Sequence, residues 1–439
     1  SDEGLTGGIA DSAPDATLDQ TDSASYSGTI PVSDPDGDPL TLTLNAPTTQ
    51  LTSGGNPISW SGDGTNTLVG DAYGVPIVTI TIDNDGNYTV VFSGPIDHPD
   101  PTIEDILSFQ VGVNVSDGQH TVQTALNVTV EDDMPVVASD GLEEESLRLD
   151  ESPLSEDGIR TTQADFADNF DATGVTQFGG DGAGSVAYQF DLSANGIGSG
   201  LYALGTGGAR GTQITLSGDL SQTVTGSADG TDYFTITVDA NGQVIFTQLA
   251  NIWHPVAGEA GGTPDAHDDS VTLSVADGTF LHLVKTVTDA DGDTASAALS
   301  LGTGVFSIED DGPSVTAGAL TTADLIALDE SPLPDAGDGV RTGSAQFADN
   351  FDGGSTDYGT DGAGNVAYQV DLSAHGLGSG LYALGTGGAR GTQITLGGDL
   401  SPTVTGSADG TDYFTISVGA GGQVSWRRVA GGWVAGAGG

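Results

Sequence analysis

The chain has 439 residues, with 62 Asp or Glu against 8 Lys or Arg, a formal net charge of -54, and no cysteine. Phosphate contacts need clustered Lys and Arg, so the balance argues against nucleic acid and against an anionic membrane surface. It leaves cations, basic surfaces and neutral glycans as partners. Without cysteine there is no disulfide, no thiol chemistry and no thiolate zinc site.

The length fits two to four domains. No apolar run reaches the roughly 18 residues that a membrane span needs. The chain opens at Ser1 in mid-pattern, with no initiator Met or signal peptide, and reads as a piece of something larger.

In chain order, Asp2-Glu3 opens a first unit, and Asp34-Pro35-Asp36-Gly37-Asp38 follows as an acidic turn. Val78–Ile82 and Tyr88–Phe92 flank Asp83-Asn84-Asp85-Gly86-Asn87, which predicts a hairpin with an Asp-Gly turn. Val122, Thr124, Leu126, Val128 and Val130 alternate with polar residues, as in a half-buried strand. Glu131-Asp132-Asp133, one residue before Pro135, closes the unit.

The same frame returns. Asp150-Glu151 opens a second unit, and Asp289-Ala290-Asp291-Gly292-Asp293 repeats the acidic turn. Glu309-Asp310-Asp311 before Pro313 repeats the closure, and Asp329-Glu330 opens a third unit. Thr79–Pro99 aligns without gaps on Thr235–Pro255, and both stretches end in His-Pro. Gly198–Leu216 recurs letter for letter as Gly378–Leu396, and Thr225–Ile236 as Thr405–Ile416. This glycine-rich block reads as a long loop between strands.

Repetition at this period, with acidic turns and no cysteine, predicts an all-β tandem array of β-domains. The units are placed at 1–137, 138–316 and 317–439. The last is a copy of the second without its closing strands, and its missing strands predict an exposed sheet edge. The tail Val424–Gly439 departs from the repeat and holds Arg427 and Arg428.

Three carboxylates at i, i+2 and i+4 around a glycine can converge on a hard cation with oxygen ligands, which makes Asp34, Asp36, Asp38, Asp289, Asp291 and Asp293 candidate Ca²⁺ ligands. Asp83 and Asp85 form a weaker version that a hairpin turn also explains. At the unit junctions, Glu131, Asp132 and Asp133 meet Asp150 and Glu151, and Glu309, Asp310 and Asp311 meet Asp329 and Glu330. Carboxylates from both sides of a linker could share ions and stiffen it; a solvated acidic strand end is the alternative. High external salt, as in a halophilic protein, is the other account of the charge.

No Gly-x-Ser-x-Gly elbow or His-Glu-x-x-His pair is present, and no enzyme activity is expected. His98 and His254, at the matching His-Pro positions, read as packing residues.

The frame LDESPL, DGAGSVAY, NIWHP, TDADGDT and EDDGP in the second unit, with VEDDMP in the first, resembles the large repeats of bacterial type-I-secreted giant adhesins: the cadherin-like and VCBS-like repeats of RTX-type and biofilm-associated proteins. The resemblance implies a tandem array of cadherin- or immunoglobulin-like β-sandwich repeats in an extracellular, cell-surface protein that folds on calcium and acts as an extension stalk in adhesion or biofilm formation. Neighbouring repeats, and host or matrix glycans or proteins, would be its partners. It also implies ion ligation by Asp289, Asp291, Asp293, Asp310 and Asp311, with Asp34, Asp36, Asp38, Asp132 and Asp133 in the first unit. No run of the glycine-rich nonapeptide calcium repeat is present. A glycan-binding module, or the non-catalytic repeat region of an RTX toxin or secreted hydrolase, is the alternative.

Overall fold

The computed structural model describes residues 1–9, 21–142, 145–155, 158–170, 176–255, 269–313, 315–330, 339–351, 357–429 and the backbone of 433–435. Among these, the regular elements are β-strands and three-residue 3-10 turns. Their buried apolar side chains fall into three clusters along the chain.

The first repeat is a sandwich. One sheet has the order Ser25–Thr29, Asn87–Phe92, Val75–Ile82, Thr67–Ala72, Ser59–Ser61; the other has Thr121–Glu131, Ile106–Ser116, Thr41–Asn45. Alternation puts Leu42 and Leu44 of one sheet against Leu68, Val78 and Ile80 of the other in a single core. The predicted hairpin is present: Ile82 pairs with Tyr88, and Gly86 closes the turn at φ 85°. In Thr121–Glu131 only Leu126, Val128 and Val130 turn into the core. Val122 is 69% exposed, and all of the first five residues of the strand are exposed.

The second repeat is larger. A six-stranded sheet runs Thr161–Asp165, Gln243–Gln248, Thr231–Val238, Thr223–Ala228, Arg210–Ser217, Ile197–Leu204. Two three-stranded sheets face it, Ala183–Leu192 with Leu281–Asp289 and Thr294–Ser300, and Leu147–Asp150 with Thr303–Glu309 and Ser270–Ser274. Aromatic edges tie the core together: Phe246 lies 5.5 Å from Phe234 on the neighbouring strand and 5.2 Å from Phe306 on the facing sheet. Leu147–Asp150 runs parallel to Thr303–Glu309, with Asp150 opposite Glu309. The opening and closing acidic groups therefore emerge at the same pole. The Leu281–Asp289 to Thr294–Ser300 turn carries Asp289–Asp293 at the other pole, against the first repeat.

The third repeat is a single seven-stranded sheet among the described residues: Thr342–Gln346, Gln423–Arg428, Thr411–Val418, Thr403–Ala408, Arg390–Gly397, Leu377–Leu384, Trp433–Ala435. Its fully buried apolar cluster is Ala383, Ile394, Ala408 and Phe414. An exposed sheet edge is expected of this repeat; at Leu377–Leu384 the strand Trp433–Ala435 from the divergent tail pairs with the sheet. What opens to solvent is a face: Phe351 is 36% exposed where its counterpart Phe170 is 1% exposed. The tail residues 430–432 and 436–439 lie outside the described residues.

The glycine-rich block is not a loop. Ile197–Leu204 and Arg210–Ser217 pair as an antiparallel hairpin with an irregular register, and Leu377–Leu384 with Arg390–Gly397 repeat it. Arg210 stacks 3.5 Å over Tyr202 and Arg390 3.4 Å over Tyr382, so the few arginines here pack on their own hairpin.

Candidate metal centres at the two seams

Two seams join the three repeats, and both share a strand-end Asp-Asp, an acid from the opening of the preceding repeat and an Asp from the following one. At the first, Asp132 and Asp133 leave the end of Thr121–Glu131, and Asp2 comes from the turn Asp2–Gly4. Asp181 comes from just ahead of Ala183–Leu192 in the next repeat, and Asp289, Asp291 and Asp293 from its turn. At the second, Asp310 and Asp311 leave Thr303–Glu309, Glu151 follows Leu147–Asp150, and Asp361 comes from the third repeat.

The hydrogen bonds repeat with the parts. Asp132 N–H donates to Asp105 C=O at 3.1 Å, and Asp310 N–H to Asp269 C=O at 3.1 Å. Asp133 Oδ2 accepts from Gly180 N–H at 2.7 Å, and Asp311 Oδ2 accepts from Thr360 N–H. Gly179 and Gly359, at φ 80° and 76°, each present a bare Cα to that carboxylate; a Cβ at Gly179 would lie 2.7 Å from Asp133 Oδ2. Asp2 Oδ2 accepts from Ile96 N–H at 3.2 Å, and Glu151 Oε1 from Ile252 N–H at 2.9 Å. Ile96 and Ile252 are matching positions, so the second residue of the Asp-Glu pair does at the second seam what the first does at the first.

The ligand-type atoms converge. Asp132, Asp133 and Asp181 lie within 4.8 Å of one another, as do Asp181, Asp289 and Asp291, and as do Asp310, Asp311 and Asp361. Asp2, His98 and Asp132, and Glu151, His254 and Asp310, form two further trios of the same span. Asp2, Asp132, Asp133 and Glu151 are fully buried, with 0% exposure. Asp2 Oδ1, Asp132 Oδ2, Asp133 Oδ1, Asp289 Oδ2, Asp293 Oδ2, Asp311 Oδ1 and both oxygens of Asp181 receive no hydrogen bond.

Such a site is costly when bare. Two like charges 4 Å apart repel by roughly 4 kcal/mol at the effective dielectric of a protein surface. Burial, reinforced by neighbouring carboxylates, raises Glu151 to about 9, Asp310 to about 8 and Asp2 to about 7. It pushes Asp132 and Asp181 well above the usual carboxylate range for the same reasons. Burial holds His98 and His254 below the usual imidazole value. Protons or cations must balance these groups. Ligand oxygens about 2.3–2.6 Å from one Ca²⁺ fall within the spans seen here, so the orphaned oxygens fit that ion.

The sequence-predicted residues separate into two groups. Asp132, Asp133, Glu151, Asp289, Asp291, Asp310 and Asp311 belong to the converging trios, and Asp293 is buried at 1% exposure beside them. The others belong to none of the trios found among the described residues. Asp34 Oδ1 caps its own loop by accepting from Asp36 and Asp38 N–H, and the loop is exposed. Asp83 likewise accepts from Asp85 and Asn87 N–H, as a hairpin turn requires. Asp150 accepts from Ser152 N–H, Glu309 pairs with Arg148, and Glu131 accepts from Thr21 N–H. Asp329 hydrogen-bonds Val340 C=O through its backbone, and Glu330 Oε1 lies 3.8 Å from Arg428.

Sequence reasoning missed Asp181 and Asp361, although both sit in a recurring Asp-Gly-Ala-Gly. It also missed Asp2 as a ligand, and read His98 and His254 as packing groups. Their recurrence at His-Pro was the available signal.

The sheets and seams together define a tandem all-β repeat protein whose repeats meet through buried carboxylates. Residues 146–302 and 325–430 match the family described as "Domain of unknown function (DUF5801)", and the chain belongs to that family. No curated protein matches the chain. Among solved structures, protocadherin gamma B2 extracellular cadherin domains 3–6 align at 10% identity over 92% of this chain and 80% of that one, with a TM-score of 0.21. Domains 1–5 of the same protein align at 12% identity over 93% and 71%, with a TM-score of 0.14. At these scores the architecture rests on the chain's own sheets. No described helix is long and apolar enough to cross a membrane.

Proposed function

We propose that the chain is a calcium-stabilised structural segment of a large secreted bacterial surface protein, acting as an extension stalk in adhesion or biofilm formation. Its units, at 1–137, 138–316 and 317–439, are spacers rather than catalysts. The observation that carries this reading is the recurrence of one acidic cage at both seams, with carboxylates from both partners and oxygens that receive no hydrogen bond. Asp132, Asp133, Asp181, Asp289, Asp291 and Asp293 would hold calcium at the first seam, and Asp310, Asp311, Asp361 and Glu151 at the second. Bound calcium supplies positive charge that neutralises both sides of a junction, which turns a flexible hinge into a stiff one.

Extracellular calcium is high enough for sites with dissociation constants of about 10⁻⁴–10⁻³ M, and cytosolic calcium is not, so such a segment stays loose until exported. Calorimetry of the full chain tests this. Millimolar CaCl₂ is expected to raise the melting temperature steeply over the EDTA-treated protein, while NaCl of equal ionic strength gives little. Equal effects of the two salts would replace calcium stiffening with general salt adaptation.

A further inference from the structure

The two buried histidines do not behave as core packing groups. The His98 side chain has 0% exposure, and its Nδ1 lies 2.7 Å from Asp105 Oδ1. A carboxylate on Nδ1 holds the ring proton there and leaves the Nε2 lone pair free. Nε2 has no hydrogen-bond partner. The nearest carboxylate oxygen across it is Asp2 Oδ2 at 3.9 Å, too far for a hydrogen bond. Two ligands each about 2.0–2.2 Å from one ion can stand that far apart.

The second seam repeats the facing His–carboxylate pair, although His254 Nδ1 has no hydrogen-bond partner where His98 Nδ1 meets Asp105. His254 is 2% exposed, its Nε2 lies 3.9 Å from Glu151 Oε2, and neither atom has a hydrogen-bond partner. In both cases the backbone N–H two residues before the histidine donates to the other oxygen of, or the same carboxylate as, the facing acid, and so aims it. Asp132 completes the first trio and Asp310 the second. Since the facing acids are not at matching sequence positions, the recurrence is one of geometry and not only of repeated letters.

We propose that each seam carries a second cation position, a mixed nitrogen–oxygen site for a first-row transition dication of the Zn²⁺, Co²⁺ or Ni²⁺ class. Its ligands are His98, Asp2 and Asp132 at one seam and His254, Glu151 and Asp310 at the other. Imidazole is a poor ligand for hard Ca²⁺ and a good one for these ions, so the histidine selects the metal. The site adjoins the proposed calcium cage through Asp132 at the first seam and through Asp310 and Glu151 at the second, and it rests on the reading that the seams hold divalent cations.

Co²⁺ titrated into the full chain at saturating calcium is the test. Uptake of about two Co²⁺ per chain that calcium does not displace is expected, falling to about one in His98→Gln and to none in His98→Gln/His254→Gln. The double variant should keep its calcium-dependent rise in melting temperature, which shows that it folds. No Co²⁺ uptake by the wild-type chain under calcium overturns the site without recourse to any variant, and so does undiminished uptake by the folded double variant. If calcium fails to stabilise the protein while Co²⁺ still needs both histidines, the calcium reading falls and this one stands.

Discussion

Asp133, at the end of one repeat, accepts a hydrogen bond at 2.7 Å from the backbone N–H of Gly180 in the next, and Asp311 stands in the same relation to Thr360. A carboxylate reaching over a linker to a neighbour's main chain ties the two repeats together at a defined point. It also brings the remaining oxygens of Asp133 and Asp311 into a pocket that the following repeat closes with Asp181 or Asp361.

Replacing Asp132 by Asn should reverse sign with calcium. In EDTA the variant should be more stable than the parent, because Asn removes a buried acid that folding must otherwise leave charged or force to take up a proton; a few kcal/mol is the scale for one close carboxylate pair. In millimolar calcium it should be less stable, having lost a ligand. Thermal melts in both buffers check this, and a variant destabilised equally in both would leave Asp132 a purely structural residue.

Gly179→Ala should cost about 1–3 kcal/mol from the left-handed backbone alone, plus the clash of its Cβ with Asp133 Oδ2 at 2.7 Å. Gly182→Ala is the control, with φ 82° and nothing within 4 Å of the added carbon. Urea titration should separate the two variants. Equal losses would mean that the close approach to Asp133 contributes nothing.

The chelated protein should lose stability as pH rises. Asp2, Glu151 and Asp310 have folded values raised to about 7, 9 and 8 from ordinary values of 3.8, 4.5 and 3.8. The folded chain therefore holds protons that the unfolded chain releases, so their contribution is full below about pH 4 and is lost as pH climbs toward 9. Calcium competes with those protons and should flatten or reverse the slope. Denaturant midpoints between pH 4 and 9, with EDTA and with calcium, give the two slopes; a chelated protein that gains stability over this range would contradict the bare-cage picture.

Phe246→Ala should cost about 3–5 kcal/mol, since the ring is fully buried, meeting Phe234 on the neighbouring strand and Phe306 on the facing sheet. Trp426→Ala, at the matching place in the third repeat, should cost less, because Trp426 is only partly buried and meets Phe414 in a single-sheet cluster. Two resolved calorimetric transitions, each shifted by one variant, would show the difference.

Much of the fold was legible in local pattern. Alternation marked the strands, Asp-Gly and Asn-Gly marked the hairpins at Gly86 and Gly242, and repeated blocks marked the array. The acidic closures Asp132-Asp133 and Asp310-Asp311 were legible as well, because strand ends that recur before proline announce a junction. The Asp34–Asp38 turn looked like the Asp289–Asp293 turn, yet only the second meets a neighbouring repeat in the described structure. Identical chemistry in a loop does not say what lies across from it.

By itself the sequence determined an all-β repeat with an excess of negative charge, since alternation, turn residues and charge count are local or additive properties. Tertiary structure decided burial and convergence. Leu201 and Leu381 occupy the same letter of an identical block, but Leu201 is 3% exposed and Leu381 only partly buried, because the facing sheets described in the second repeat have no counterpart among the described residues of the third. Asp2 and Glu151 take matching roles from unmatched positions, and Asp181 reaches Asp133 from the far side of a linker. Such meetings depend on how whole repeats dock, where small shifts in a strand end decide which carboxylate faces the seam.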